Sequence, residues 1–256
     1  MYALITGASG GLGEAYARHL AAQGHDLVLV ARSQDKLQAL AGELSAAHSV
    51  QVRVHCEDLG VDGAGRALAA ELQSQGVEVD VLVNNAGFGT MGEFSQLDPD
   101  RVHSEITLNC VTLTDLCSTF VPAMVRRGEG TIINVASTAA FQPIPTMAVY
   151  AATKSYVLSF SQALWAEVKA QGVKVVAICP GPTETSFFSN AGDDSAMTRR
   201  RTPEQVVAST FRALEQGRPS VVDGRLNAVQ ATVAKLSPTR ISLPIAKLAV
   251  RSTKKA

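Results

Sequence analysis

The stretch Thr6–Gly13, which reads TGASGGLG, decides the fold of this 256-residue chain. It follows a short apolar run, Ala3–Thr6, and opens a segment of helical period, Gly11–Gln23. Gly7 can adopt the positive φ of a sharp strand-to-helix turn, and Gly13 lets the helix pack closely on the strand. An ordinary glycine-rich turn has the same composition, but the position between strand and helix favours a turn that presents free N–H groups to a phosphate.

The rest of the chain alternates short β-branched runs with helical segments, which is typical of a buried parallel sheet. The predicted strands are Ala3–Thr6, Asp26–Val30, Val50–His55, Val79–Asn84, Gly130–Val135, Val173–Ile178 and Ser220–Val222. The helical segments are Gly11–Gln23, Gln34–Ala47, Asp62–Gln75, Pro99–Arg127, Ala148–Gln171 and Pro203–Glu215, the last beginning with Thr202 as N-cap. The sequence predicts an α/β fold in a single domain over 1–256: a Rossmann-like doubly wound sheet of seven mainly parallel strands flanked by helices.

The end of the second predicted strand distinguishes between two dinucleotides. Proteins that bind NAD place an Asp or Glu about 20 residues past the glycines to hold the ribose 2′-hydroxyl, whereas an Arg there accommodates a 2′-phosphate. Here Ala31 is followed by Arg32 and Ser33. NADP(H) is therefore favoured over NAD(H), the alternative being that Arg32 is simply a solvated residue before a helix.

Tyr150 and Lys154, in YAATK, lie four residues apart on a predicted helix and share one face. A nearby ammonium favours the phenolate, so Lys154 is expected to lower the pKa of Tyr150 from its ordinary value near 10. Ser137 follows the fifth predicted strand, at the carboxyl edge where such sheets bind ligands. Taken singly, a Tyr and Lys at this spacing are more often a surface pair, and Ser137 would be a turn cap.

Together and in this order, the motifs resemble the single-domain, NADP-preferring branch of the short-chain dehydrogenase/reductase family. They are TGASGGLG, NNAG at Asn84–Gly87, Asn109, Ser137, YAATK, and PGPTET at Pro180–Thr185. The resemblance covers about 1–190, and beyond Gly192 the chain matches only the general layout of the family.

The resemblance implies a role for each matching position. Tyr150 would be the acid/base, Lys154 would lower its pKa and bind the nicotinamide ribose, and Ser137 would polarise the carbonyl. Asn109 would anchor a water that relays protons to Lys154. Contacts with NADP(H) are expected from Gly7, Ser9, Gly11, Leu12, Gly13, Arg32, Asp58, Leu59, Asn85, Ala86, Gly87, Tyr150, Lys154, Pro180, Gly181, Thr183 and Thr185. A homodimer or homotetramer is implied as well.

Composition excludes several classes of protein. With 23 basic and 23 acidic side chains the net charge is zero, so no chain-wide field attracts nucleic acid. The cysteines at 56, 110, 117 and 179 form no metal-binding spacing and are expected to be reduced core thiols. No signal peptide and no run of roughly 18 apolar residues is recognised, so a cytoplasmic protein without a metal is expected.

The segment 182–202 contains neither a predicted strand nor a predicted helix and is expected to be a substrate flap. Its Phe187 and Phe188, with the apolar lip Phe141–Met147, suit a small hydrophobic carbonyl or alcohol substrate, although the aromatic pair would equally serve to pack the flap. The run Arg199–Arg201 is expected to be a solvated face; the alternative is that it binds an anionic acyl carrier such as coenzyme A, which would allow a thioester-linked substrate.

The tail, 224–256, is basic, with seven Lys or Arg and no acid. Such a segment can lie on an anionic membrane. Packing over the substrate mouth or against a second subunit is favoured instead, because Pro244 is expected to interrupt any long amphipathic helix.

The predicted function is an NADPH-dependent oxidoreductase that reduces a ketone or aldehyde, or oxidises the corresponding secondary alcohol, with Tyr150 as general acid/base. A 3-oxoacyl thioester and a steroid-like ketone are alternative substrates. Arg32 disfavours an NAD-linked alcohol oxidiser. A non-catalytic NADP-sensing module is disfavoured because Tyr150, Lys154 and Ser137 are all present.

Overall fold

The computed structural model describes residues 1–185, 187 and 200–251, with the backbone alone for 241 and 247–251. Its strands are β1 (Tyr2–Thr6), β2 (Asp26–Ala31), β3 (Val52–Cys56), β4 (Val79–Asn84), β5 (Gly130–Val135), β6 (Val173–Cys179) and β7 (Ser220–Val222). They form one sheet in the order β3-β2-β1-β4-β5-β6-β7, and every pair is parallel. The predicted doubly wound fold is confirmed, with the strand order reversing between β1 and β4.

Helices connect the strands and cover both faces of the sheet. They are α1 (Gly11–Ala22), α2 (Gln34–His48), α3 (Ala64–Ser74), α4 (Pro99–Ile106), α5 (Leu113–Arg127), α6 (Ala148–Val168), α7 (Pro203–Glu215), α8 (Arg225–Leu236) and α9 (Thr239–Arg251). Short 3-10 turns occupy Phe94–Gln96, Thr138–Phe141 and Lys169–Gln171. All six predicted helical segments are therefore helical in the structure.

The core consists of two apolar layers, one on each face of the sheet. Along β1, Ala3 and Ile5 belong to the layer that packs against α1, α2 and α7, whereas Leu4 belongs to the layer under α3, α5 and α6. All three side chains are fully buried. Because both faces are covered, the strands are apolar at nearly every position, which is why the sequence showed continuous runs rather than alternation.

Two predicted boundaries were wrong by two residues, and a left-handed residue explains each. Ser49 adopts φ 58° after α2, so the chain pairs with β2 only from Val52 and not from Val50. Gly63 adopts φ 79°, which delays the start of α3 to Ala64.

The predicted segment Pro99–Arg127 is helical throughout but not uniform. A π-helical turn, Thr107–Thr112, separates α4 from α5. By length and composition this run could cross a membrane, contrary to the expectation that no segment approaches that limit. In the structure α5 instead packs on the sheet through buried residues that include Leu116, Phe120 and Met124.

The C-terminal region differs most from the sequence-based expectation. It forms two helices, α8 and α9, and Pro244 lies inside α9 rather than interrupting it. A proline in a helix removes one backbone hydrogen bond but does not always end the helix. Of the expected core thiols, Cys117 and Cys179 are buried, whereas Cys56, at the last position of β3, is exposed. Phe188 and Arg199 of the expected flap lie outside the described residues.

The start of α7 provides a test of the predicted N-cap. Gln205 N donates to Thr202 Oγ1 at 3.4 Å, and Thr202 N donates to Gln205 Oε1 at 3.2 Å. Replacing Thr202 with Ala should lower the free energy of unfolding in urea by about 1 kcal/mol, because the Gln205 N–H group in the first turn loses its side-chain acceptor. Thr232→Ala, in the exposed middle of α8, is the matched control and should change it by much less; equal losses would contradict the capping interpretation.

Candidate active site

The turn between β1 and α1 has the geometry predicted from its glycines. Gly7 adopts φ 67° and Gly11 φ 56°, and a Cβ on Gly13 would lie 2.2 Å from the carbonyl oxygen of Gly7. At the N-cap, Gly10, no side chain among the described residues caps the helix. The first N–H groups of α1 therefore remain available to an anion, and the dipole of the helix favours one.

The loop after β4 is bound directly to this turn. The Oγ1 atom of Thr6 accepts hydrogen bonds from the backbone N–H groups of Asn85 and Ala86, both at 3.0 Å. The side-chain Nδ2 of Asn85 donates to the carbonyl oxygens of Thr6, at 2.9 Å, and Gly7, at 3.2 Å. The two loops thus form one wall of a cleft at the carboxyl edge of the sheet, across the point where the strand order reverses.

Asn109 lies in the π-helical turn and is almost fully buried. Its Nδ2 donates to Phe88 O at 2.9 Å and to Thr153 Oγ1 at 3.1 Å, and its Oδ1 accepts from Phe88 N at 3.2 Å. A Cβ on Gly87 would lie 2.8 Å from Asn109 Oδ1 and 3.4 Å from Lys154 Nζ. The structure therefore brings Gly87, Asn109 and Lys154 together as the resemblance implied.

The opposite wall of the cleft is the segment after β6. A Cβ on Gly11 would lie 2.8 Å from Thr185 Cγ2, so the first turn and the PGPTET segment face each other closely. Thr183 is buried and its Oγ1 donates to Gly181 O at 3.0 Å, while Pro180 O accepts from Thr138 N at 2.9 Å. The uncapped start of α1, beside the glycines of the first turn, offers N–H groups and a dipole that fit the diphosphate of a dinucleotide.

The residues predicted to hold the adenosine end lie at the rim. Arg32 follows β2 with its side chain 75% exposed, and its Nη1 lies 3.8 Å from Asp58 Oδ2. An exposed ion pair of this kind contributes little, so the guanidinium is free to reorient toward a phosphate. Ser9 and Leu12 are partly buried in the first turn, whereas Leu59 is buried in the core and accepts from Thr112 through its carbonyl oxygen at 2.7 Å. The side chain of Leu59 is therefore not placed to meet a ligand.

Tyr150 and Ser137 meet at the inner end of the cleft. The Tyr150 side chain is buried, and its hydroxyl lies close enough to Ser137 for that hydroxyl to lower its pKa. Ser137 Oγ also accepts from Ala139 N at 3.1 Å, so it caps the following 3-10 turn at the same time. Ser137 is therefore a turn cap, as its position alone suggested, and its hydroxyl also lies near the phenol.

The expected effect of Lys154 on Tyr150 is not what the structure shows. Burial raises the pKa of Tyr150 to about 12, against which the Ser137 hydrogen bond acts only in part. The Lys154 Nζ donates to Val135 O at 2.7 Å and lies 5.8 Å from the centre of the phenol ring, so it does not offset the burial. Burial also lowers the pKa of Lys154 itself to about 8. Removal from water outweighs the attraction of an ammonium that is directed elsewhere.

Apolar side chains surround the phenol. Ala139 and Met147 are buried against Tyr150, with Met91, Ile144 and Phe187 packed around them. The ring of Phe187 lies 5.2 Å from that of Tyr150, centre to centre. The predicted lip is divided between two sites, because Phe141, Pro143 and Pro145 line a separate groove of about 490 Å³ on the other face of α6.

The arginine run does not form one solvated face. Arg201 binds Asp223 through two atoms, Nε to Oδ2 and Nη2 to Oδ1, the latter at 3.0 Å, and Asp223 is only 1% exposed. Its backbone pairs with Thr183, which fixes the end of the flap beside the cleft. Arg200 is also engaged, so neither the solvated face nor a free phosphate-binding run describes the two arginines that the structure includes.

Three site residues were missed by sequence reasoning. Thr6 anchors the NNAG loop, and Thr153, whose Oγ1 donates to Tyr150 O at 2.8 Å, joins Asn109 to the catalytic helix. Both stand inside quoted motifs, so their positions were a usable signal. Glu105 is fully buried in α4, and burial raises its pKa; a carboxylate is normally exposed and no quoted motif includes this residue, so the sequence did not indicate it.

Comparisons with known proteins agree with this geometry. Residues 1–196 match the family model described as short chain dehydrogenase. The very-long-chain 3-oxoacyl-CoA reductase of Rattus norvegicus is 32% identical over 82% of this chain, and the match spans 65% of that longer protein. The 17-beta-hydroxysteroid dehydrogenase type 3 of Danio rerio is 30% identical over 84% of this chain and 70% of its own.

Solved structures show the same architecture. A short-chain dehydrogenase from Sphingobium yanoikuyae in complex with NADPH superposes with a TM-score of 0.82 and 31% identity, covering 93% of this chain and 96% of that one. A 7beta-hydroxysteroid dehydrogenase gives 0.86 and 26%, covering 99% and 96%. The bulky-bulky ketone specific alcohol dehydrogenase from Comamonas testosteroni gives 0.78 and 26%, covering 93% and 94%.

The burial of Lys154 predicts a pH dependence of stability. Its folded-state pKa of about 8 lies below the ordinary 10.5, so above pH 8 the unfolded chain holds a proton that the folded chain lacks. This contribution makes stability rise with pH. The free energy of unfolding of the wild type, measured in urea relative to that of Lys154→Met, should increase by about 2 kcal/mol between pH 8 and about pH 10. Lys174→Met, at an exposed strand position, should show no such trend; a flat difference for Lys154→Met would contradict the buried-ammonium picture.

Proposed function

This chain belongs to the short-chain dehydrogenase family, and we propose that it is an NADPH-dependent reductase of hydrophobic ketones, with oxidation of the secondary alcohol as the reverse reaction. One observation carries the proposal: a buried phenol, Tyr150, lies close enough to the Ser137 hydroxyl for that group to lower its pKa, inside an apolar cluster at the carboxyl edge of the sheet. Polar groups that converge in an otherwise apolar pocket are typical of a site that orients a carbonyl.

The state of the phenol favours the reducing direction. Because burial raises its pKa to about 12, Tyr150 is protonated at neutral pH and can act as a proton donor. The Ser137 hydroxyl, at the same place, donates a hydrogen bond to the carbonyl oxygen and polarises it. Bound NADPH supplies the hydride. Tyr150 then delivers its proton to the oxygen as negative charge develops there, so that charge is never left unpaired in the apolar site.

Lys154 and Asn109 would restore the proton. At neutral pH Lys154, with a pKa of about 8, is mostly protonated, and its Nζ would have to turn from Val135 O toward the phenol to stabilise the phenolate that Tyr150 becomes. Asn109 is held rigidly by Phe88 and Thr153, beside Lys154, as a residue that positions a water would have to be. The N-terminal turn of α1 and the loop Asn84–Gly87 would hold the diphosphate and adenosine, with Arg32 on the 2′-phosphate.

The substrate class is inferred from the lining and from relatives. The apolar cluster of Met91, Ile144, Met147 and Phe187 would accommodate a bulky substrate. The Comamonas testosteroni relative is named for bulky ketones and the Danio rerio relative for a hydroxysteroid. A long-chain 3-oxoacyl thioester is the second candidate, because the relative from Rattus norvegicus is named a very-long-chain 3-oxoacyl-CoA reductase. Arg201 is unavailable to a coenzyme A phosphate because Asp223 holds it, so any recognition of the carrier would depend on other residues.

Removing the proton donor tests the mechanism. Tyr150→Phe should lower kcat by about a hundredfold to ten-thousandfold in NADPH oxidation with a panel of small ketones, steroid ketones and 3-oxoacyl thioesters. Binding of NADPH, measured by fluorescence, should persist. Tyr156→Phe is the matched control on the same helix: its hydroxyl bonds Thr114 at 2.8 Å, away from Ser137, and its loss should leave kcat within a few-fold. Turnover by Tyr150→Phe at the wild-type rate would show that another residue is the acid.

Arg32 tests the choice of cofactor. Arg32→Ala should raise KM for NADPH about tenfold to a hundredfold, because a charge-assisted contact with the 2′-phosphate is lost, and should leave KM for NADH nearly unchanged. Arg66→Ala, another exposed arginine whose Nη1 lies 3.7 Å from Asp115, is the control. An equal effect of Arg32→Ala on both cofactors would contradict recognition of the 2′-phosphate.

A further inference from the structure

Helix α8 presents its large aliphatic side chains to solvent, whereas a helix that packs on a core normally buries them. Its buried face is formed by Ala231, 4% exposed, and by Asn227, which packs against Gly181 at the end of β6. The opposite face presents four aliphatic side chains to solvent: Leu226, Val229, Val233 and Leu236, which are 57–77% exposed. At helical spacing these positions form one continuous stripe along the full length of α8. Such a stripe on a protein surface indicates a partner.

The charges around the stripe indicate which partner. Seven of the 23 basic side chains follow Asp223 and none of the 23 acidic ones does, so the preceding part of the chain carries a matching excess of acid. Arg225 and Lys235 on α8 and Arg240 at the start of α9 are all exposed. Ile245, also exposed at 63%, extends the apolar character to α9. An apolar stripe bordered by cations is complementary to an anionic lipid surface.

A second copy of the chain fits this face less well. A two-fold interface through the stripe would bring each basic tail against its own copy, with like charges opposed and no carboxylate after Asp223 to pair with them. An anionic bilayer can bind both kinds of side chain: its acyl chains contact the aliphatic side chains, and its anionic headgroups contact the long basic ones.

We propose that α8, with the start of α9, docks the enzyme on the surface of anionic membranes, with the stripe of Leu226, Val229, Val233 and Leu236 inserted at the level of the headgroups. The helix lies between the lipid and the cleft, because its inner face contacts Gly181. Docking would therefore hold the carboxyl edge of the sheet near the bilayer, where hydrophobic ketones are concentrated. The docking itself does not depend on the proposed reaction.

Vesicle cosedimentation tests the proposal with the full chain. The wild type should bind vesicles of phosphatidylcholine with phosphatidylglycerol far better than vesicles of phosphatidylcholine alone, and salt should weaken the binding. Replacing Arg225, Lys235 and Arg240 with Gln should weaken it by about fivefold per cation. Val229→Asp with Val233→Asp should weaken it tenfold or more at every salt concentration, as expected of lost insertion.

Val61→Asp provides the matched control, because Val61 is 59% exposed, as Val233 is, but lies before α3. It should bind anionic vesicles like the wild type, and all variants should keep the wild-type thermal unfolding temperature. Failure of the wild type to bind anionic vesicles, or unchanged binding by the double aspartate variant, would overturn the proposal. A smaller mass of the double variant in lipid-free sedimentation velocity, without vesicle binding by the wild type, would assign the stripe to a second copy instead. Ketone turnover, assayed separately without lipid, reports on the proposed reaction alone.

Discussion

The hydrogen bonds between Thr6 and the loop Asn84–Gly87 are the constraint on which the rest of the site depends. Thr6 ends β1 and Asn85 follows β4, the two strands between which the strand order reverses. Parallel strands that diverge at such a point leave a crevice, and its width is set by whatever joins the two loops. One threonine hydroxyl and one asparagine amide satisfy the backbone groups there, so the wall keeps its shape without a ligand.

Burial, more than charge, governs the chemistry at the inner end of this crevice. Tyr150 and Lys154 are both almost inaccessible to water, and burial favours the neutral form of each. It therefore raises the pKa of Tyr150 and lowers that of Lys154. A buried ammonium needs a partner, and here the carbonyl oxygen of Val135 supplies it. The consequence is a phenol that remains a proton donor at neutral pH and an ammonium that is bound to the backbone rather than to the phenol.

The parts of the fold and site that depend on local chemistry could be predicted. Buried parallel strands require continuous β-branched runs, a sharp βα turn requires glycine at positions such as Gly7, and an N-cap requires a residue such as Thr202, so each left a mark in the sequence. The π-helical turn around Asn109 left none, because its hydrogen-bond pattern depends on what α4 and α5 pack against. The persistence of α9 through Pro244 is likewise a matter of context.

The sequence alone determined the alternation of strands and helices, the glycine turn, and the order of the site motifs, since each depends on residues adjacent in the chain. Only the tertiary structure decided that Arg201 forms an ion pair with Asp223 and that Lys154 donates to Val135 O rather than to the phenol oxygen. It also decided that the aliphatic stripe of α8 is exposed to solvent. These are relations between residues far apart in sequence, and a side chain's partner and its exposure to water exist only once the chain has folded around it.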